Sequence, residues 1–178
     1  MSNKALFLDR DGVINLDHGY VYRIQDFEFQ SGIFELVHEA CQRDYLVIVV
    51  INQSGIARGM YTEQEFQTLS DWMVAQFEQN GGSIHRIYHS PFHPVSGLGE
   101  FKKDTDCRKP GPGMLFFARD ELDIDLGQSV MIGDKVSDMQ AAINAGVPRR
   151  FLLNSSNSGD WVNVQDLTQI QEALIRFD

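Results

Sequence analysis

Tyr45 to Ile51 reads YLVIVVI, an apolar run without a break and mostly β-branched. A strand with water on one face alternates polar and apolar side chains. An unbroken run therefore reads as a strand covered on both faces, as in a parallel sheet between two helical layers. Outward from this run the same logic repeats. Lys4 to Leu8 (KALFL), Ser129 to Ile132 and Phe151 to Leu153 are shorter strands, and Ile84 to His89 is a weaker one. Helical periodicities separate them. Gly32 to Arg43 carries Ile33, Leu36, Val37 and Ala40 on one stripe. Thr62-Glu63-Gln64-Glu65 reads as a capping box that opens a helix with Phe66, Leu69, Met73 and Phe77 facing the core. Further helices are expected at Gly113 to Leu122 and at Val136 to Ala145, the latter closed by Gly146. Leu167, Ile170, Leu174 and Phe177 stripe a last one. Strand alternating with helix in this way predicts the α/β class, with a Rossmann-like, doubly wound parallel sheet. There is no internal repeat, low-complexity tract or linker, so residues 1–178 are expected to form a single domain.

Composition narrows the function. The chain has 178 residues, enough for one core without disulfide support. Its net charge of -10 argues against nucleic acid or an anionic membrane as partner, since both are held by positive charge. A small anionic substrate stays open, because a local pocket can be positive on an acidic protein. No window approaches the ~20 apolar residues of a membrane span. Met1-Ser2-Asn3-Lys4 leads straight into a strand rather than a signal peptide. The two cysteines, Cys41 and Cys107, make no disulfide framework. These features predict a cytoplasmic protein, and the lack of an obvious exposed apolar stripe predicts a monomer.

Two stretches, Asp11 to Gln30 and Ser90 to Pro110, are long for simple connections, and long loops in compact domains tend to carry function. Ligands of an open α/β sheet gather at the carboxyl ends of its strands. Four polar clusters fall there: Asp9-Arg10-Asp11-Gly12, Asn52-Gln53-Ser54-Gly55, Arg108-Lys109-Pro110, and Gly133-Asp134-Lys135 with Asp138 close behind. Converging carboxylates of Asp9, Asp11 and Asp134 need a cation, and hard oxygen donors select Mg²⁺. Such an ion leaves room for a substrate phosphate, for which Arg108 and Lys109 add positive charge. An aspartate can then attack phosphorus and form an aspartyl-phosphate. A second carboxylate two residues on can serve as general acid and then base. Asp9 and Asp11 have that spacing.

These residues resemble the haloacid-dehalogenase-like phosphatase superfamily, whose first motif is D-x-D-G after an apolar strand. Five ordered segments carry the likeness: LFLDRDGVIN (Leu6 to Asn15), DHGYV (Asp17 to Val21), NQSGIARG (Asn52 to Gly59), CRKPGPGM (Cys107 to Met114) and IGDKVSDMQAA (Ile132 to Ala142). Within the superfamily the chain is similar to the D-glycero-D-manno-heptose 1,7-bisphosphate phosphatases, with the histidinol-phosphatases as near relatives. The resemblance implies a fold without a large cap domain. It implies Asp9 as nucleophile and Asp11 as proton donor. Asp9, the carbonyl of Asp11 and Asp134 would hold Mg²⁺, with Asp138 as support, and Lys109 would neutralise the transferring phosphoryl group. Asp17, His18, Gly19, Tyr20, Asn52, Gln53, Ser54, Arg108 and Lys135 would contact substrate. The substrate implied is a small sugar phosphate, first the 7-phosphate of the heptose bisphosphate used for bacterial surface polysaccharide. Histidinol phosphate is the second reading. A catalytically impaired sugar-phosphate-binding protein is the third, motivated by Ile51 alone.

The chain departs from the family pattern in two places. Ile51 stands where the second motif places Thr or Ser, so one hydroxyl donor to the phosphoryl group is missing; that loss is expected to cost roughly 10²-fold in rate. Many relatives hold a structural Zn²⁺ on C-x-H and C-x-C pairs. The matching positions here read Ser90-Pro91-Phe92 and Thr105-Asp106-Cys107, so only Cys107 remains. His89 and His93 lie nearby but in another register, and no zinc is expected.

Overall fold

The structure is a computed structural model that describes residues 2–177. Six strands form one sheet: β1 (Lys4–Leu8), β2 (Tyr45–Asn52), β3 (Arg86–Ser90), β4 (Val130–Gly133), β5 (Arg149–Leu153) and β6 (Val162–Val164). Their order is β3-β2-β1-β4-β5-β6 and every pairing is parallel. The helices are α1 (Ile33–Gln42), α2 (Ser54–Ala57), α3 (Glu63–Gln79), α4 (Gly113–Leu122), α5 (Val136–Ala145) and α6 (Leu167–Arg176).

The two faces of the sheet explain the continuous apolar run. Val47, Val49 and Ile51 of β2 and Leu6 and Leu8 of β1 enter one core, packed with the stripes of α1, α3 and α6. Ile48 and Val50, with Ala5 and Phe7, enter the other, packed with α4 and α5. β1 and β2 bury successive side chains into opposite layers, so they have no polar face to show.

The capping box forms as expected: Glu65 N–H donates to Thr62 Oγ1 (3.1 Å), and Thr62 N–H donates to Glu65 Oε2 (2.8 Å). Gly146 ends α5 with φ of 82°. Three features differ from the sequence reading. The strand expected at Ile84 to His89 lies at Arg86–Ser90, and α2 and β6 were not expected. β6 is three residues long, with Val162 and Asn163 exposed, so no apolar pattern announces it.

β1 and β4 are neighbours although their chain connections run to opposite sides, which opens a crevice at their carboxyl ends. The connection from β1 to α1 contains a single 3₁₀ turn (Ile24–Asp26), and the one from β3 to α4 another (Gly99–Phe101). Among the described residues the site is thus roofed by loops, with no large cap.

Candidate active site

Asp9 follows β1 directly, and its N–H donates to Ile132 O of β4 (3.0 Å), which fixes it over the crevice. Lys109 reaches it from the end of the long loop. The Lys109 ammonium is 4% exposed as a residue and donates to Asp9 Oδ1 (2.8 Å), to Val50 O (2.7 Å) and to the Asp138 carboxylate (2.6 Å). Burial alone would lower its pKa, but the carboxylates of Asp138 and Asp9 outweigh it and hold the pKa above that of a free lysine. The ammonium is therefore a fixed positive charge.

Asn52, expected to contact substrate, clamps the Lys109 peptide. Its Nδ2 donates to Lys109 O and its Oδ1 accepts from Lys109 N–H, both at 3.0 Å. Asp138 also accepts from Lys135 N–H (3.0 Å) at the start of α5. That places it against Gly133, where a Cβ would stand 2.3 Å from the Asp138 side chain. Gly12 makes the equivalent approach to Asp134. Its φ is +90°, and a Cβ there would lie 2.3 Å from Asp134 Oδ2.

Ligand-type oxygens of Asp9, Asp134 and Asp138 lie within 4.8 Å of one another, the one such group among the described residues. Burial and the neighbouring Asp9 carboxylate push the Asp134 pKa up to about 7, against the opposing charge of Lys135. Burial also raises Asp138, with Lys109 opposing. Asp134 Oδ1 is buried without a hydrogen-bond partner. An orphaned carboxylate oxygen in a crowd of negative charge is costly unless a cation meets it, and all the donors are hard oxygens. The residues present fit Mg²⁺. The Asp11 carboxylate lies outside this group, so any ligand from Asp11 is its carbonyl.

The Asp11 side chain instead meets Arg10 and Asn15. It accepts from Arg10 Nη2 (2.9 Å to Oδ1) and from Asn15 Nδ2 (3.1 Å). Burial raises its pKa, with Arg10 opposing. Asp11, Asp17, Gly19 and Tyr20, together with Asn52, Gln53, Ser54 and Lys135, line a cavity of about 260 Å³. Asp17 Oδ1 accepts from Gly19 N–H (2.9 Å), and Lys135 Nζ lies 3.5 Å from Asp17 and 3.7 Å from Asp134. Gln53 is 1% exposed. Its Oε1 accepts from the Tyr61 hydroxyl while its Nε2 has no partner.

Two expected contacts, His18 and Arg108, do not line this cavity. His18 sits in a neighbouring hollow, exposed and 3.4 Å from Glu28. Arg108 donates to Phe92 O (3.0 Å), and burial and the nearby Arg58 lower its pKa. Two residues missed in the sequence reading matter here. Tyr61 lines the cavity and stacks on Tyr22 (5.0 Å, 9°). Arg10 lies between the two aspartates and is 2% exposed. An arginine inside D-x-D was the available signal for the second; nothing local marks the first.

At the positions of the family's zinc pairs, Cys107 Sγ lies 2.9 Å from Thr105 Oγ1 and donates to Ser90 Oγ (3.4 Å). His89 pairs with Glu63 (2.8 Å), and His93 Nδ1 accepts from Val95 and Ser96 N–H.

The HAD-hydrolase-like family model matches residues 106–169. A D-glycero-beta-D-manno-heptose-1,7-bisphosphate 7-phosphatase of Escherichia coli K12 is 45% identical, over 96% of this chain and 93% of its own. A relative of the same name from Vibrio cholerae is 49% identical over 87% of this chain and 83% of its own. A D-glycero-alpha-D-manno-heptose-1,7-bisphosphate 7-phosphatase from Burkholderia mallei is 51% identical over 86% and 81%. Among solved structures, a D,D-heptose 1,7-bisphosphate phosphatase from B. bronchiseptica, complexed with magnesium and phosphate, superposes with a TM-score of 0.83. It is 28% identical and covers 98% of this chain and 99% of that one.

Proposed function

The chain belongs to the haloacid-dehalogenase-like phosphatases, in the family of the D-glycero-D-manno-heptose-1,7-bisphosphate 7-phosphatases, and from that membership we propose that it removes the 7-phosphate of the heptose bisphosphate through an aspartyl-phosphate on Asp9, with Mg²⁺ as cofactor. The observation that carries this reading is the buried Asp9–Lys109–Asp138 network beside an Asp134 oxygen that lacks a partner.

In this reading an Asp9 carboxylate oxygen attacks phosphorus, the ester P–O bond breaks, and Asp11 gives its proton to the departing sugar oxygen. Water then attacks the phosphorus of the aspartyl-phosphate, Asp11 takes its proton, and the Asp9 carboxylate is released with inorganic phosphate. The burial of Asp11 favours the protonated form that the first step needs. Lys109 keeps a positive charge next to the attacking oxygen, and Asn52 keeps the Lys109 backbone in place. Asp9 and Asp134, with the carbonyl of Asp11, would hold Mg²⁺. When bound, the ion offsets carboxylate and phosphoryl charge as the transition state develops. Asp17, Gly19, Tyr20, Gln53, Ser54 and Lys135 border the space left for the sugar, and Arg108 and His18 would act from its margin. No structural zinc belongs to this reading, since Ser90, Phe92 and Thr105 stand where three of the four ligands would be.

The test is phosphate release with Mg²⁺ from both anomers of the heptose bisphosphate, with histidinol phosphate as control. Turnover of a bisphosphate anomer well above the control is expected. Asp9→Asn is expected to abolish that turnover while the fold persists by circular dichroism. Preference for histidinol phosphate, or turnover retained in Asp9→Asn, would overturn the substrate or the covalent step respectively.

A further inference from the structure

The Arg10 guanidinium is a buried charge with a specific set of contacts. Nε and Nη2 grip the Asp11 carboxylate side-on, at 3.1 Å and 2.9 Å to Oδ1 and 3.0 Å to Oδ2. Nη2 also donates to Val21 O (2.6 Å). The rings of Phe27 and Phe66 each stand 6.0 Å from the guanidinium carbon. Nη1 is buried without a hydrogen-bond partner.

An arginine held in this way is poor value as packing. A buried, incompletely paired guanidinium between aromatic rings is costly, and an apolar side chain of similar volume would fill the space without that cost. What it supplies is geometry. A planar fork fixes the plane and rotation of a carboxylate, which a point charge cannot do. Oδ1 of Asp11 accepts from Nε and Nη2 of Arg10 and from Asn15 Nδ2, whereas Oδ2 accepts from Nη2 alone. Oδ2 is thus the oxygen left to carry a transferable proton. The contact with Val21 O ties the same guanidinium to the end of the segment whose Asp17, Gly19 and Tyr20 border the cavity.

We propose that Arg10 is a positioning residue, one that orients the Asp11 proton donor and locks the Asp17-to-Val21 segment to it, so that the donor meets the oxygen of the bound sugar. This rests on Asp11 being the proton donor. Loss of Arg10 therefore hurts esters whose leaving oxygen needs a proton and spares those whose leaving group departs as a stable anion.

The experiment compares Arg10→Met, Arg10→Lys and Asp11→Asn on the heptose bisphosphate and on p-nitrophenyl phosphate. It reads kcat and KM for the sugar ester and single-turnover release of nitrophenolate for the aryl ester. Both Arg10 variants are expected to lower kcat on the sugar ester by about 10²-fold and raise its KM, with nitrophenolate release within about threefold of the parent. Arg10→Lys keeps the charge without the fork and keeps the test valid should Arg10→Met fold poorly. Equal losses on the two esters, or a fully active Arg10→Lys, would overturn the proposal in favour of a purely structural arginine. Asp11→Asn separates the two layers of the argument: if it too fails to favour the aryl ester, the proton-donor reading itself falls; if it succeeds where Arg10→Met does not, only the role of Arg10 falls.

Discussion

Ile51 sits at the carboxyl end of β2 and is 1% exposed, inside the apolar cluster that also holds Leu8, Val49 and Phe66. It occupies the position at which a hydroxyl is expected from the family pattern, and the structure gives it a core role instead. Ile51→Thr therefore sets two effects against each other. Burying a hydroxyl and losing a methylene in a packed core costs roughly 1–3 kcal/mol, and the denaturation midpoint is expected to fall accordingly. The restored donor is expected to raise kcat, by up to about 10²-fold. A lower midpoint with an unchanged kcat would mean that backbone N–H groups already supply the donor. Asn52 teaches a related lesson at the next residue. Its position after a buried strand marked it as a site residue, but spacing could not distinguish contact with substrate from a clamp on the Lys109 peptide, because the partner lies 57 positions away.

The elements were legible where burial imposes a period. β1, β2, β4 and β5 bury both faces, and α1, α3 and α6 bury one stripe each, so their side chains record the environment. β3 is an edge strand and records it weakly. Its approach carries His85, whose Nδ1 accepts from Val47 N–H of β2 (3.2 Å). That contact requires the neutral ring, and burial lowers the His85 pKa below its ordinary 6.5. The unfolded chain then binds the proton more readily than the folded one, so the contribution to stability is whole above about pH 6.5 and drains away as the pH falls toward the folded pKa. The ring is largely exposed, so the effect is small. Thermal unfolding measured from pH 7.5 to 5.5 is expected to show a shallower decline in His85→Gln than in the parent; parallel curves would remove His85 from the account.

For the whole molecule the decisive quantity is the carboxylate charge gathered at the strand ends. Asp9 and Asp138 share the single buried ammonium of Lys109 while Asp134 crowds against them, so the folded state is under repulsive strain that a divalent cation would relieve. Chelation is expected to abolish phosphate release and Mg²⁺ to restore it. An ion held by these converging carboxylates would bind only the folded chain, so saturating Mg²⁺ is also expected to raise the unfolding temperature, with about 2.7 kcal/mol gained at a hundredfold excess over Kd. Asp134→Asn should blunt that rise, and an unchanged response would exclude Asp134 as ligand. Elemental analysis before chelation is expected to find less than one equivalent of zinc. The sequence by itself determined the layered parallel sheet, because side-chain burial has a period that a linear string can carry. It also placed Asp9, Asp11 and Asp134 at strand ends, where ligands of such a sheet gather, though it did not show that Asp138, not the Asp11 carboxylate, completes the acidic group. Only the tertiary structure decided that Asp138 shares the Lys109 ammonium, that Arg10 grips Asp11, that Asn52 braces Lys109, and that Arg108 turns toward Phe92. These are contacts between groups on separate elements, or choices of side-chain direction within a loop, and neither leaves a period in the chain to be read.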